Sequence, residues 1–376
     1  MRNGRELKSK HMQELALLFL RLGLTAFGGP AAHIAMMQRE VVGRLGWLTE
    51  QEFLDSLSLA NLIPGPSSTE LAIHIGYRRA GWRGLVLAGV CFILPAALMV
   101  GVLAWAYVKY GQLPRVAGVL WAVKPVVIVL VAEAVWKLSR TALKSPWIVA
   151  ISLVSVVLFA LQVSPVLVLI VGALMAMAPR VTMARAGALA VLGAGSAGAA
   201  KLGAWPIFFA FVRIGSVLFG SGYVLLAFLR AELIDRYHWL NSQQLLDAVA
   251  IGQVTPGPVF TTATFIGYLL MGPKGAVAAT IGIFLPAFIF VGVGALFLPR
   301  LRQSQTFASA LNGVNAASLA LMAVVTVQLG RTALTGWIPI ALALVSAVAL
   351  LRFKVNSSWV LLAVVVVGLL AGGHRF

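Results

Sequence analysis

The chain has 376 residues, 60% hydrophobic and 11% charged, with 29 Lys and Arg against 11 Asp and Glu and a formal net charge of +18. A soluble protein of this size needs roughly a quarter of its residues charged to cover its surface, so a soluble fold is excluded. A basic nucleic-acid-binding stripe goes with it, because no segment is polar enough to carry one; Lys and Arg instead collect in loops, where they set orientation.

The N-terminal Arg2, Arg5, Lys8 and Lys10 place that end in the cytoplasm. A cleaved signal peptide is rejected, because the motif ending the first apolar stretch recurs deep in the chain. The first helix carries Arg21 among apolar neighbours and ends at Gly28-Gly29. A less apolar connection with Glu40 follows. Thr49-Glu50-Gln51-Glu52 then reads as a capping box, with Leu48 and Phe53 as its hydrophobic staple. A helix from Glu50 to Ile63 would be about 21 Å long, short of a ~30 Å hydrocarbon core. The triplet Pro64-Gly65-Pro66 is therefore expected inside the membrane, where the prolines remove backbone donors and Gly65 admits positive φ. Ser67-Ser68-Thr69-Glu70 opens a new helix. The loop 77–84 carries Arg78, Arg79 and Arg83, and a long proline-containing span covers 84–108. Cys91 within it reads as a small core residue. A second span, 115–138, holds Lys124 and Glu133 nine positions apart, read as snorkelling or structural. Short apolar segments at 147–161 and 165–178 close this half.

The pattern then repeats. FLRLGLTAFGG at 19–29 returns as FVRIGSVLFGS at 211–221. An offset of 192 residues, Arg21 to Arg213, holds without a gap to Pro256-Gly257-Pro258. One residue is then dropped, and Gly76-Tyr77 matches Gly267-Tyr268 while Pro95 matches Pro286. So many glycines, prolines and charges in register define two homologous halves, 1–185 and 205–376, joined by a Gly/Ala-rich linker or extra span at 186–204. The expected fold is an all-α polytopic membrane bundle of two repeats with broken or re-entrant helices. Arg78, Arg79 and Arg83 in one loop against Lys274 alone in its counterpart favour opposite orientations of the halves. Similar charges in other equivalent loops keep a parallel arrangement open.

Paired broken helices at matching positions in two repeats point to a transporter site. Helix starts within the membrane present N–H groups and the positive end of a dipole, at Ser67, Ser68 and Thr69 and again at Thr261 and Thr262. The alternative is a proline kink used for packing. Arg21 and Arg213, each costing at least ~2.5 kcal/mol mid-membrane, would complete a site for a tetrahedral dianion through their planar forks. Otherwise each pairs with a carboxylate of its own repeat: Glu40, Asp55, Glu232 or Asp247. Glu70 either closes a second capping box from Ser67 or, beside a dianion, takes up a proton. His74 and Glu40 are the other proton-carrying candidates, with a satisfied interior histidine as the plainer reading of His74.

FLRLGLTAFGGP at 19–30, Glu40, Trp47-Leu48, LANLIPGPSSTELAIHIGY at 59–77 and the echo GQVTPGPVFTTATFIGY resemble the chromate ion transporter family in its long two-domain form. The resemblance covers nearly the whole chain. It implies export of chromate from the bacterial cytoplasm across the inner membrane, conferring chromate resistance, driven by the membrane potential or a proton gradient, with sulfate as the close mimic. The second half departs from the first at Ser221-Gly222, where the first has Gly29-Pro30, and has no carboxylate matching Glu70. A primary pump would need G-x-x-x-x-G-K-[ST] and an embedded hydrolase a motif such as H-E-x-x-H; neither occurs. No enzyme activity, cofactor or metal is expected. An anion channel, a sulfate or other oxyanion carrier, and a homo-oligomer all stay compatible with the sequence.

Overall fold

The computed structural model describes residues 2–178, 202–219, 222–301 and 304–371. Among them the chain forms helices and turns, with four helices long and apolar enough to cross a membrane. The joint at 186–204 lies outside the described residues up to 201.

The first repeat opens with two hairpins. In the first, α1 (Arg2–Thr25) reverses where Gly28 and Gly29 take φ of 102° and 76°. The chain returns through α2 (Gly29–Gln38) and a π-helical turn, Arg39–Arg44. In the second, α3 (Glu50–Ala60) starts at the expected capping box: the Glu52 N–H donates to Thr49 Oγ1 (3.2 Å) and the Thr49 N–H to Glu52 Oε2 (2.8 Å). Those bonds to Thr49, with Arg78 nearby, hold the Glu52 carboxyl below the usual carboxylate range. α3 ends at Ala60, three residues earlier than expected. The cause is Pro64, which pushes Ile63 out of the α region and unwinds the turn before it.

The helix after the break, α4 (Ser67–Tyr110), is two arms joined by a sharp turn at Ala80 (φ −146°, ψ 22°) and Gly81 (φ 61°, ψ −148°). Ile73 and Gly89 would be about 24 Å apart along a straight helix, yet a Cβ at Gly89 would sit 2.9 Å from the Ile73 side chain. Arg78, near the end of the short arm, donates to Glu52 at the start of α3 (2.8 Å). The short arm therefore folds back along α3 with Pro64-Gly65-Pro66 at the tip: a re-entrant hairpin. The long arm runs beside α1, where Gly23 has room only for hydrogen against the Phe92 carbonyl oxygen (2.7 Å from a Cβ). Phe19, Phe53 and Phe92 are fully buried at the centre of this packing, with Cys91 in the same cluster.

The second repeat reproduces the devices. α8 (Ala204–Val217) is followed in the chain by a single helical turn at Gly222–Val224, α9 (Leu225–Leu229) and a π-helical turn, Arg230–Arg236. α10 (Ser242–Val254) is capped reciprocally by Asn241 and Gln244 (2.9 and 3.0 Å). α11 (Thr262–Leu301) turns at Met271 and Gly272 with angles within a few degrees of those at Ala80 and Gly81. The two long arms run antiparallel: Trp82 packs on Gly292, while Gly89, about two turns further along α4, meets Phe288, earlier in α11.

The later helices are α5 (Pro114–Ala142), α6 (Pro146–Ala160), α7 (Pro165–Met177), α12 (Gln305–Ala333), α13 (Trp337–Leu351) and α14 (Ser357–Ala371). α14 packs along α5, and α7 along α12 through the facing glycines Gly172 and Gly313. The last helix of each repeat thus lies on the long span of the other. The compact units accordingly divide the chain differently from the repeats. One unit is Met1–Gly111, Gly203–Gly222 and Ile251–Pro299; the other is Gln112–Leu202, Tyr223–Ala250 and Arg300–Phe376.

Lys124 takes the structural of its two readings. Its ammonium lies 2.9 Å from Asp247 and 2.7 Å from the Gln243 side-chain oxygen, with the charged side chains 15% and 6% exposed. Asp247, read from the sequence as a partner for an arginine, pairs with this lysine. Glu133 pairs one turn along its helix with Lys137.

Candidate functional site at the paired PGP tips

The two proline-glycine-proline tips belong to the same compact unit, and each is fastened to the other repeat. The Gly65 N–H donates to the Leu218 carbonyl (2.7 Å) and the Gly257 N–H to the Ala26 carbonyl (2.9 Å). Leu218 and Ala26 are equivalent positions, each just past the end of its repeat's arginine-bearing helix. Gly257 also lies against Ala96 and Gly65 against Ala287, the residues following the equivalent prolines Pro95 and Pro286. Pro30 and Gly222, likewise equivalent, approach one another, with 3.6 Å between the proline ring and a Cβ at Gly222. The reciprocity of these contacts is that of a pseudo-two-fold axis through the tips.

These bonds change the expected donor set. The glycine N–H groups at both tips are engaged between the repeats. The N–H groups of Thr69 and Glu70 bond the Pro66 carbonyl (2.7 and 3.0 Å) and that of Thr261 the Pro258 carbonyl (3.0 Å). Polar side chains line the breaks nonetheless: Ser68, Thr69, Glu70 and His74 in the first half, Thr255, Thr261 and Thr262 in the second, are all buried. Pro64 and Ser67 are half-buried; Gly65, Pro66, Pro256, Gly257 and Pro258 are buried.

Glu70 is not a helix cap. The N-cap of α4 is Pro66, which has no side-chain bond, and Ser67 is the first helical residue. The Glu70 carboxyl is fully buried, has no hydrogen-bond partner among the described residues, and occupies the space a Cβ at Gly65 would need. Thr69 Oγ1 and His74 Nδ1 are likewise buried without a partner.

The arginines are placed differently from the sequence expectation of burial. Arg21 is 63% exposed along its side chain and lies 3.7 Å from Glu40, which also binds Arg44 at 2.6 Å. Arg213 is exposed as well. Glu40 is therefore built into a charge pair, and Arg236 to Glu232 (2.8 Å) repeats its Arg44 contact in register. The physical reason is local: the π-helical turn returns Glu40 along the flank of α1, where Arg21 projects, outside the packed face formed by Leu15, Phe19 and Leu22. Gly28 is exposed and Gly29 half-buried at the first reversal. The matching Gly220 and Ser221 lie outside the described residues.

His33 was not singled out from the sequence. It is 1% exposed, with Nε2 3.0 Å from the Ala26 carbonyl and Nδ1 3.2 Å from Ser68 Oγ. A carbonyl only accepts, so Nε2 carries the proton, and in the neutral ring Nδ1 accepts from the Ser68 hydroxyl. The Ala26 carbonyl thus receives both His33 and Gly257. The available signal was a break in the repeat: Leu225 stands where the first half has His33.

The profile of the family described as "Chromate transporter" matches residues 13–177 and again 205–369. A chromate transport protein of Cupriavidus metallidurans is 35% identical over 96% of this chain and 93% of its own length. A probable chromate transport protein of Synechococcus elongatus is 33% identical over 86% of each chain. A chromate transport protein of Pseudomonas aeruginosa is 33% identical over 85% of this chain and 81% of its own. No solved structure matches. With two copies of the family domain arranged as interlocked re-entrant hairpins, the chain belongs to the chromate transporter family.

Proposed function

We propose that the protein carries chromate, a tetrahedral dianion, out of the bacterial cytoplasm across the inner membrane by alternating access at the two PGP tips. The observation that supports this best is the buried polar group at the first tip, Thr69 and Glu70, without partners among the described residues, within helices broken at matching points of two repeats. Intramembrane ionisable groups of this kind accompany ion pathways, and irregular backbone at depth is tolerated where it lines one. The membrane potential, negative inside, drives a bare dianion outward with about 4.6 kcal/mol per 100 mV, and a dianion accompanied by one proton with about 2.3 kcal/mol. Uptake of chromate into everted vesicles tests the reading, with sulfate as the parallel substrate. Flux that saturates and collapses with an uncoupler is expected; flux linear in chromate at every concentration would show a channel instead.

In this proposal Glu70 binds a proton that travels with the anion. A buried ionised carboxylate beside a dianion, with no hydrogen-bond partner among the described residues, is strongly disfavoured. The sign follows. A proton moving with the dianion opposes an acid-inside gradient in everted vesicles, so removing that gradient while keeping the potential raises flux in the native protein. Glu70→Gln, neutral and of the same shape, is expected to transport without that response. An unchanged response to the pH gradient in the Gln variant returns Glu70 to a packing role.

We propose further that the N-terminus is cytoplasmic and that the halves are inverted across the membrane. Two things support inversion: the antiparallel long arms of α4 and α11, and the Arg78, Arg79 and Arg83 loop set against Lys274. Arg79 lies 3.7 Å from Glu14 of α1, which puts that loop on the side of the N-terminal helix. Single cysteines at Ala80 and Lys274, with Cys91 replaced, are expected to differ in intact cells. An impermeant thiol reagent should label only the Lys274 site; equal protection of the two sites means parallel repeats.

A further inference from the structure

The two PGP tips match in backbone but differ in what their hydroxyl groups do. At the second tip every threonine hydroxyl already has an acceptor. Thr261 Oγ1 donates to the Pro258 carbonyl (2.8 Å), Thr262 Oγ1 to the Val259 carbonyl (2.8 Å) and Thr255 Oγ1 to the Ile251 carbonyl (3.0 Å). At the first tip, Ser68 donates to His33 Nδ1. Thr69 is different: it is fully buried and its hydroxyl has no partner among the described residues, beside a Glu70 carboxyl that also has none.

A buried hydroxyl loses its bonds to water and normally finds a replacement. Threonine in a helix has an easy one, the carbonyl of the preceding turn, and Thr261 and Thr262 take it. A buried donor left open beside the open Glu70 carboxyl, where the matching threonines of the second tip are satisfied, calls for a ligand that satisfies it. The ligand must accept hydrogen bonds, which an oxyanion does through every oxygen. His33 adds the constraint that fixes which residue acts: by accepting from Ser68 it removes that hydroxyl from the donor set, and its Nε2–H holds the Ala26 carbonyl that also anchors Gly257. Leu225, at the equivalent place in the second half, can do neither.

We infer that the repeats supply unequal half-sites: the Thr69 hydroxyl of the first tip is the side-chain donor that meets the anion, His33 positions its surroundings, and the second tip is scaffold. The inference rests on the transport reading and deepens it, by assigning recognition to one repeat. It also changes the standing of Thr261 and Thr262, which the sequence pattern alone makes equal candidates.

The test compares Thr69→Val with Thr262→Val, each losing one hydroxyl at nearly constant shape. Two quantities are read: apparent KM for chromate in everted vesicles, and melting temperature of the detergent-purified protein. Thr69→Val is expected to raise KM at least about tenfold, the loss of one hydrogen bond to a charged ligand, and to melt at or above the native temperature, since its hydroxyl has no partner to lose. Thr262→Val is expected to leave KM within about twofold and to melt about 2 °C lower, because an intact bond is broken. A native KM in Thr69→Val, or an equal rise in both variants, overturns the inference. So does a lower melting temperature for Thr69→Val, which would show a partner within the fold. The melting contrast needs no substrate. If the native protein moves no chromate, the transport reading fails, while the difference between the two hydroxyls stands or falls on the melts.

Discussion

Gly257→Ala is expected to leave little folded carrier in the membrane, whereas Gly65→Ala should accumulate folded protein that does not transport. Both glycines hold φ values that L-residues avoid, 91° and 143°, at a cost of about 1–3 kcal/mol for a side chain forced there. Their neighbours make the difference. A Cβ at Gly257 falls 2.6 Å from the Ala96 Cβ and 3.1 Å from the Gly23 carbonyl oxygen. Neither can rotate away, because one is a methyl on a packed helix and the other is backbone, so overpacking adds about 1–3 kcal/mol more. The Gly257 N–H bond to Ala26, which locks the second tip onto the first repeat, is strained along with it. At Gly65 the intruding Cβ meets the end of the Glu70 side chain, which can swing aside at the expense of the site. Fluorescence-detected size exclusion measures the folded fraction and vesicle uptake the activity. A Gly257→Ala protein that elutes as the native one does would show that the tip contact is slack.

Lys124→Ala should lower stability by about 3–5 kcal/mol, the loss expected when one member of a buried ion pair is removed and the other charge stays behind. The pair is well made, with the ammonium bound by both Asp247 and Gln243. Its location decides the magnitude: at 15% and 6% exposure, water replaces neither partner cheaply. The same physics predicts that removing both charges is mild. Lys124→Met with Asp247→Leu is expected to recover most of the melting temperature lost in Lys124→Ala, since well-packed apolar groups often match or exceed a buried pair. Equal melting of Lys124→Ala and the native protein would mean that Asp247 finds another cation or is neutral in the fold.

Much of this molecule was legible in the residues because local chemistry determined it. The capping boxes at Thr49 and Asn241 are four-residue devices whose geometry depends on nothing distant, and both form as read. The prolines at 64, 66, 256 and 258 break helices wherever they stand. Length and hydropathy allowed the long spans at 84–108 and 275–298, and the 192-residue offset required the halves to share a fold. The chain therefore announced a duplicated membrane bundle with broken helices.

What the sequence could not carry was direction and partnership, which depend on packing across the repeats. Arg21 reads as buried because its sequence neighbours are apolar, yet a helix has several faces, and the one bearing Arg21 lies along the returning Glu40 turn. Lys124 and Asp247 stand 123 positions apart, and only the placement of α10 beside α5 joins them. The mixing of the repeats follows in one compact unit from the bonds of Gly65 to Leu218 and Gly257 to Ala26, and in the other from the exchange of α7 and α14 between the long spans, which no stretch of sequence displays. The inequality of the tips is the sharpest case. Thr69 and Thr261 look alike in sequence, each a hydroxyl at a helix start. The backbone that the packed fold sets at each break engaged the Thr261 hydroxyl with the Pro258 carbonyl three residues back and left the Thr69 hydroxyl open, because a hydrogen bond is decided by the few tenths of an ångström between donor and acceptor, and residue identity does not specify those.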